Sequence, residues 1–331
     1  MNISYRLADS DDVDALTEFW SENSGWDVID SAEWKRRFAS SPYGNSVVSV
    51  ATDEETKKII GQFIFIPVRI AVNGKEIKGY RPFAPILHQS LQTKFGIASL
   101  LTGQHPILKL YKKVADEMTK QGVSLIYMVP DPRWARILQA FPFMNTHKFP
   151  LWSYPLPLQE KIILPAGITV DKIKPSDPAI DQLWDQSSSV YSAAIVRNCK
   201  TMSWKILHGD YRIYAIRRDG EITGLFTTIY QMKDDQWLIC DLVTRDKEES
   251  LSITLAAACN IIQEENNKLP STPNHPNKIA LLSTPAIEQV VKKMGFRQED
   301  YHFTLAVHLL NEDGFDRGNI SPEKWYVSAK D

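Results

Sequence analysis

Read for the spacing of its apolar positions, the chain breaks into short segments of two periods. Residues 3–7 and 168–173 alternate in the manner of half-buried strands, and each leads into a helical pattern through a Ser-Asp pair, Ser10-Asp11 and Ser176-Asp177. A serine followed by acids accepts hydrogen bonds from the free amides of a first helical turn and suits the positive end of its dipole. Residues 63–72 and 75–88 read as two strands joined at Asn73-Gly74, a pair that favours the left-handed backbone of a hairpin turn. Over 106–121, Ile107, Leu110, Tyr111, Val114 and Met118 fall on one helical face, with Pro106 in the first turn and Gly122 as the stop. A buried strand over 123–129 and a helix over 132–141 follow. Later come strands at 211–216, 224–231 and 236–243, a helix near 250–266, a strand at 279–283, a helix at 285–294 and a strand at 302–309.

The two stretches repeat one another. The Ser-Asp helix starts stand 166 residues apart, and Gly61 of Ile59-Ile60-Gly61-Gln62-Phe63 stands 163 from Gly224 of Ile222-Thr223-Gly224-Leu225-Phe226. Phe143, in Phe141-Pro142-Phe143, is 153 from Phe296, in Met294-Gly295-Phe296. Three matches in one order, with spacings that fall by three and then by ten, predict a duplication, with ten extra residues in the first copy between Gly61 and Phe143. Each copy then reads as strand, helices, antiparallel strands, helix, strand, helix, strand. That is an α/β fold with a mixed, mainly antiparallel sheet and flanking helices. The Pro-rich stretch 154–165 separates the copies, giving domains over 1–158 and 159–331.

Composition narrows the possible roles. At 331 residues and 43% hydrophobic the chain buries enough for two cores. Its 38 Lys and Arg against 40 Asp and Glu leave a net charge of -2, without the one-sided field a nucleic acid requires. The apolar runs fall well short of the roughly 20 residues of a membrane span, and the start lacks the pattern of a secretory leader, so a cytoplasmic protein with no membrane partner is expected. Cys199, Cys240 and Cys259 are widely spaced with no C-x-x-C pair, which argues against disulfides and against a metal site. Each is expected as a small buried residue. Oligomeric state stays open.

This order of elements resembles the GCN5-related N-acetyltransferase (GNAT) family, present twice in tandem. The resemblance is carried by Tyr5-Arg6-Leu7-Ala8 with Asp11-Asp12 and Leu16, by Val129-Pro130-Asp131-Pro132, and by the Phe-Pro-Phe and Met-Gly-Phe corners. It implies an acyl-CoA-dependent N-acyltransferase whose cofactor is acetyl-CoA or another acyl-CoA and whose acceptor is an amine of a small molecule or peptide. It also implies a fourth strand splayed from the fifth, offering backbone groups to the pantetheine arm, and a glycine-bearing loop that receives the pyrophosphate. Free amides at a helix start hold anions, and glycine lets backbone approach closely. Carried onto this chain, the cofactor residues are Ile86 and His88 at the strand end, then Lys94, Phe95, Gly96, Ile97 and Ala98. The extra residues add a second turn, Thr102-Gly103-Gln104, and either turn is a candidate for the phosphates. Three residues before Gly96, where the family has Arg or Gln, stands Thr93. In the second copy the loop 244–250 has no glycine and three carboxylates, so that copy is expected to hold no cofactor.

Acylating an amine needs a base for the ammonium proton and a donor for the departing thiolate. The tyrosine many family members carry after the fifth strand is replaced by Trp134. The candidates are His88, because a histidine's unperturbed pKa lies near neutrality, and Tyr127 on the fifth strand; the first also reads as an ordinary hydrogen-bonded histidine and the second as a core aromatic. Asp241, in an apolar strand, reads as a raised-pKa base or as the partner of a buried arginine, and the second is favoured. Trp34, Arg36, Arg37, Tyr80 and Arg81 either line a substrate cleft or serve packing and a solvated face. Two rival readings keep the fold and change the role: a catalytically inactive binding or scaffold protein, and an aminoacyl or peptidyl transferase, which the neutral charge balance disfavours.

Overall fold

Strands of alternating or wholly apolar pattern pair in chain order in each part of the molecule, which sets the architecture. The computed structural model describes residues 2–139, 141–206, 209–270, 275–311, 315–329 and 331. It divides into two units. Unit 1 comprises Met1–Arg69, Ile77–Met128 and Val307–Asp313, and unit 2 comprises Ile70–Glu76, Val129–Ala306 and Gly314–Asp331.

Unit 1 is built from β1 (Ile3–Leu7), α1 (Val13–Asn23), α2 (Ser31–Trp34), β2 (Val47–Asp53), β3 (Ile59–Val72), β4 (Lys75–Leu87), α3 (Gln89–Lys94), α4 (Ile97–Leu101), α5 (Pro106–Lys120) and β5 (Leu125–Met128). The sheet order is β1-β2-β3-β4-β5, antiparallel except for the parallel pair β4–β5. Helix α5 forms where predicted: His105 caps it, Leu110, Val114 and Met118 are fully buried, and Gly122 ends it at φ +68°. It lies over β1 and β2. The predicted loop 96–104 instead carries the short helix α4, with α3 before it; Leu91 and Leu100, both buried, anchor the two turns.

Unit 2 is built from α6 (Pro132–Leu138), β6 (Asn145–Pro155), β7 (Ile168–Ile173), α7 (Ala179–Ser187), β8 (Ala193–Ile195), α8 (Cys199–Ile206), β9 (Arg212–Arg218), β10 (Glu221–Gln231), β11 (Gln236–Thr244), α9 (Glu249–Asn266), β12 (Lys278–Leu282), α10 (Glu288–Lys293), β13 (Arg297–Leu309) and β14 (Trp325–Tyr326). Its sheet runs β7-β9-β10-β11-β12-β6 with β11–β12 the parallel pair, so the first five strands repeat the order and sense of unit 1. The matched glycines have one physical cause. A Cβ on Gly61 would meet Leu87 at 2.9 Å with Leu110 of α5 at 3.5 Å, and a Cβ on Gly224 would collide with Thr254 of α9. Each glycine lets a helix sit directly on its sheet. The strand ends match too: His88 N donates to Ile60 O (2.9 Å) and Arg245 N to Thr223 O (3.1 Å).

The last strand of each copy is exchanged. Strand β6, which chain order gives to the first copy, pairs antiparallel with β12 in unit 2, from Leu282↔Leu151 to Lys278↔Pro155. The end of β13 and the residues after it count with unit 1, where Leu310 N donates to Ser124 O (2.9 Å). The boundary read at residue 158 therefore falls inside unit 2. Cys240 and Cys259 are buried and Cys199 is half-buried; burial pushes the Cys259 thiol up to about 12. Among the described residues no group of three or more His, Cys, Asp or Glu is placed to hold a metal, and no helix is long and apolar enough to cross a membrane.

Candidate active site

In unit 1 the parallel strands β4 and β5 share only two rungs, Gly79↔Leu125 and Tyr80↔Ile126. Past these, β5 ends at Met128 while β4 continues through Arg81-Pro82-Phe83-Ala84-Pro85-Ile86-Leu87. Two prolines cannot donate to a ladder, and Ala84 takes a left-handed φ of +51°, so this stretch is shaped to leave its partner. The result is a splayed strand end, as the resemblance implied. Ile86 is buried, 5% exposed, which leaves its backbone as the part available there.

His88 follows immediately and caps α3. Its Nδ1 accepts from Ser90 N (3.2 Å) and lies 2.8 Å from Ser90 Oγ, while the ring is exposed. Gln92 Nε2 donates to Leu87 O (2.7 Å), which closes the strand end. An imidazole whose Nδ1 accepts an amide carries its proton on Nε2; to take a proton at Nε2 it must first hold one at Nδ1, with Ser90 Oγ as acceptor. The cap and the base are therefore alternative tautomers.

The two candidate phosphate turns differ in which amides they have to give. At Thr102-Gly103-Gln104 every amide is spent: Thr102 N on Ala98 O (3.3 Å), Gly103 N on Leu100 O (3.2 Å) and Gln104 N on Ser99 O (2.9 Å). Gly103 sits at φ +73°, where glycine is needed for the turn itself. At the other turn, Gly96 is exposed at φ −80°, which any residue adopts, and nothing lies within 4 Å of the position a Cβ would take. Neither Gly96 N nor Ala98 N has an acceptor among the described residues. The backbone of Ile97 opens α4 between them. Lys94 is exposed beside this turn, its Nζ 5.7 Å from the Phe95 ring centre, and Phe95 contacts the ring of His105.

Tyr127 is 1% exposed, on β5 next to the last rung. Trp34 is buried against Trp20 and Phe38, and Arg36 and Arg37 pair with Glu33, so packing and a solvated face account for all three. Sequence reasoning missed Phe83 and Trp26. Phe83 sits on the splayed part of β4, its ring 5.9 Å from that of Trp26, which is 54% exposed, with the Arg81 guanidinium 5.9 Å from the Phe83 ring centre. The only signal was an aromatic among prolines in a strand. One more pair was beyond reach: Tyr111 of α5 and His308 of β13, 197 residues apart, bring Oη to 2.8 Å from Nδ1 in unit 1. Burial lowers His308 to about 4 and raises Tyr111 well above its usual value.

Among solved structures the chain is similar to a GCN5-related N-acetyltransferase from Anabaena variabilis, with TM-score 0.67 at 13% identity over 94% of this chain and 73% of that one. The fold is that of the GCN5-related N-acetyltransferases. A probable N-acyltransferase from Enterococcus faecalis is similar at TM-score 0.66 and 8% identity, over 92% and 72% of the two chains. N-myristoyltransferase of Saccharomyces cerevisiae, solved with myristoyl-CoA bound, is similar at TM-score 0.55 and 13% identity, over 98% and 84%. No protein-family model matches the sequence, and no curated protein matches it.

Unit 2 carries the same acetyltransferase-like elements in a different state. The loop before α9 is closed by its own acid: Asp246 Oδ1 accepts from Glu248 N and Ser250 N (both 3.0 Å) and Oδ2 from Ser250 Oγ (2.6 Å). Burial acts to raise the Asp246 pKa, and the serine and amide donors outweigh it and hold the carboxyl low. Glu249 turns away to Arg218 (2.6 Å). Asp241, on β11, has the buried arginine partner expected of it. Arg197 Nε (3.0 Å), Lys205 Nζ (2.9 Å) and Thr227 Oγ1 (2.7 Å) all donate to its carboxylate, and Asp331 accepts from Arg197 (2.6 Å) and Lys205 (3.1 Å). Two cations and two anions form a neutral cluster inside the unit. Burial works against ionising Asp241, but Lys205 and Arg197 prevail and hold its pKa well below the carboxylate range.

Proposed function

We propose that the protein is an acyl-CoA-dependent N-acyltransferase whose first copy binds the cofactor. The observation that carries this reading is the early parting of β4 from β5 together with two uncommitted amides, Gly96 and Ala98, directly beyond the strand end. Acyl-CoA, when bound, supplies a thioester that an amine attacks. The chain's part is to hold and orient it: β4 from Arg81 to Leu87 offers backbone to the pantetheine arm, and the turn from Lys94 to Ala98 offers amides and one ammonium to the pyrophosphate. The turn at Thr102, Gly103 and Gln104 serves as a connector, its amides being spent. His88, at the junction of strand and turn, takes the ammonium proton at Nε2 when Ser90 Oγ holds its Nδ1 proton. Tyr127 supports the fifth strand from within and remains the second candidate for protonating the thiolate. The half-exposed rings of Trp26 and Phe83 suit the apolar part of an amine acceptor, from a small molecule or a peptide.

Calorimetric titration with coenzyme A, acetyl-CoA and myristoyl-CoA tests the reading and ranks the acyl chain. Binding of all three with the same affinity assigns recognition to the coenzyme; no heat at millimolar ligand, together with no rise in melting temperature, favours a scaffold protein of the same fold.

A further inference from the structure

The second copy has the splayed strand as well. Strands β11 and β12 pair from Gln236↔Lys278 to Ile239↔Leu281, and β11 then runs on from Cys240 to Thr244. One edge of this stretch stays on β10, with Thr227↔Asp241 and Phe226↔Leu242. On the edge that β12 leaves, the amide of Leu242 is buried and must find an acceptor. It donates to Tyr326 Oη at 2.8 Å.

Tyr326 belongs to a segment of this same chain that is fixed in unit 2. Trp325 and Tyr326 pair in parallel with Ala193 and Ala194 of β8, and Trp325, Tyr326, Val327 and Ser328 are all under 5% exposed. The Tyr326 ring stacks on that of Tyr191, centres 4.5 Å apart, and the Arg197 guanidinium is 4.6 Å from its centre. Beyond it, Ser328 N donates to Asp331 (2.7 Å) and Asp331 holds Arg197 and Lys205, the two cations that also hold Asp241 of β11. Asp246 meanwhile occupies the amides before α9. We propose that the second copy's cleft is occupied from within: Tyr326 stands on the strand edge that β12 leaves, and Asp246 on the amides that open α9. Both parts of a cofactor site are thereby spent, and the chain takes one acyl-CoA instead of two. The occupant is core, tied by a charge cluster, so it is a permanent filling.

The count of one rests on the first copy binding acyl-CoA; the filling of the second does not. Amide hydrogen exchange resolved by residue separates the two. Tyr326→Phe keeps the ring and removes the acceptor, so Leu242 should exchange at least tenfold faster in the variant while Ile213 and Ile216 of β9 are unchanged. In the parent, coenzyme A should slow exchange in residues 81–87 and leave Leu242 as it was, with calorimetry giving one site. Equal Leu242 exchange in parent and variant, slowing of Leu242 by coenzyme A, or two sites by calorimetry overturns the proposal. Slowing nowhere by coenzyme A refutes the proposed function, while the Tyr326→Phe comparison still decides the filling. Should that variant not fold, the parent decides: Leu242 exchanging as slowly as Ile213 and Ile216 supports the filling, and Leu242 exchanging at the rate of an exposed amide overturns it.

Discussion

Two strands of one design end differently. Strand β4 runs seven residues past its last rung with β5, through two prolines and a left-handed alanine, and reaches amides that have no acceptor among the described residues. Strand β11 runs five residues past its last rung with β12 and reaches Tyr326, a four-charge cluster and a loop capped by Asp246. A splayed parallel pair is only an opening in hydrogen bonding. What the chain does with the freed groups decides whether the opening becomes a site or a core.

The largest expected effect tests the closed end. Asp241→Asn leaves Arg197 and Lys205 buried with Asp331 as their one carboxylate among the described residues, and should cost ~3–5 kcal/mol in chemical denaturation, the usual loss when one partner of a buried pair is removed. A loss under ~1 kcal/mol would make the cluster incidental. For the open end, His88→Asn retains a capping side chain and removes the base. Turnover should fall ~100-fold with the melting temperature near that of the parent, and unchanged turnover would leave His88 as a cap only. Gly96→Asp brings a charge and a side chain to the uncommitted amides, and acetyl-CoA affinity should drop at least tenfold, about 1.4 kcal/mol. Its counterpart, Asp246→Ala, should lose ~1 kcal/mol of stability as a missing cap and change acetyl-CoA affinity less than twofold. A strong change there with normal binding by Gly96→Asp would reverse the assignment of the two ends.

A further test separates the copies by pH. His308 titrates near 4 in unit 1 and higher when unfolded, so it binds its proton more readily in the unfolded chain. Its contribution is complete above the unfolded value of about 6.5 and is lost as pH falls from there toward 4. Asp241 has the same sign in a lower window. Its folded pKa lies below its unfolded one, so its stabilisation is whole above about 3.8 and declines only in stronger acid. Stability measured from pH 7 to 4 should therefore slope in the parent and flatten in His308→Gln.

Local rules made much of this legible. The cap and stop of α5, the Asn73-Gly74 turn and both first strands of the copies follow from spacing and turn chemistry. The paired glycines were visible as a motif before their cause, a helix resting on a sheet, was known. Asp241 was readable because a carboxylate in an apolar strand demands a partner, although nothing in the sequence named Arg197 or Asp331. The choice between Gly96 and Gly103 was not readable, since both are glycines in a polar stretch and only the destination of each amide separates them. Contacts such as Tyr326 with Leu242, or Tyr111 with His308, join residues 84 and 197 positions apart, and no periodicity records them.

The exchange of final strands sets an order on folding. During synthesis the first 128 residues leave the ribosome with β5 lacking the neighbour that β13 supplies, because residues 307–313 are made more than 170 positions later. Until then the first unit presents an unpaired parallel edge and an uncovered Tyr111, the kind of surface that chaperones hold and that misassociates at high concentration. Completion of the earlier unit thus waits on the later one, and a ribosome stalled anywhere between would release a chain whose first half has nothing to close it.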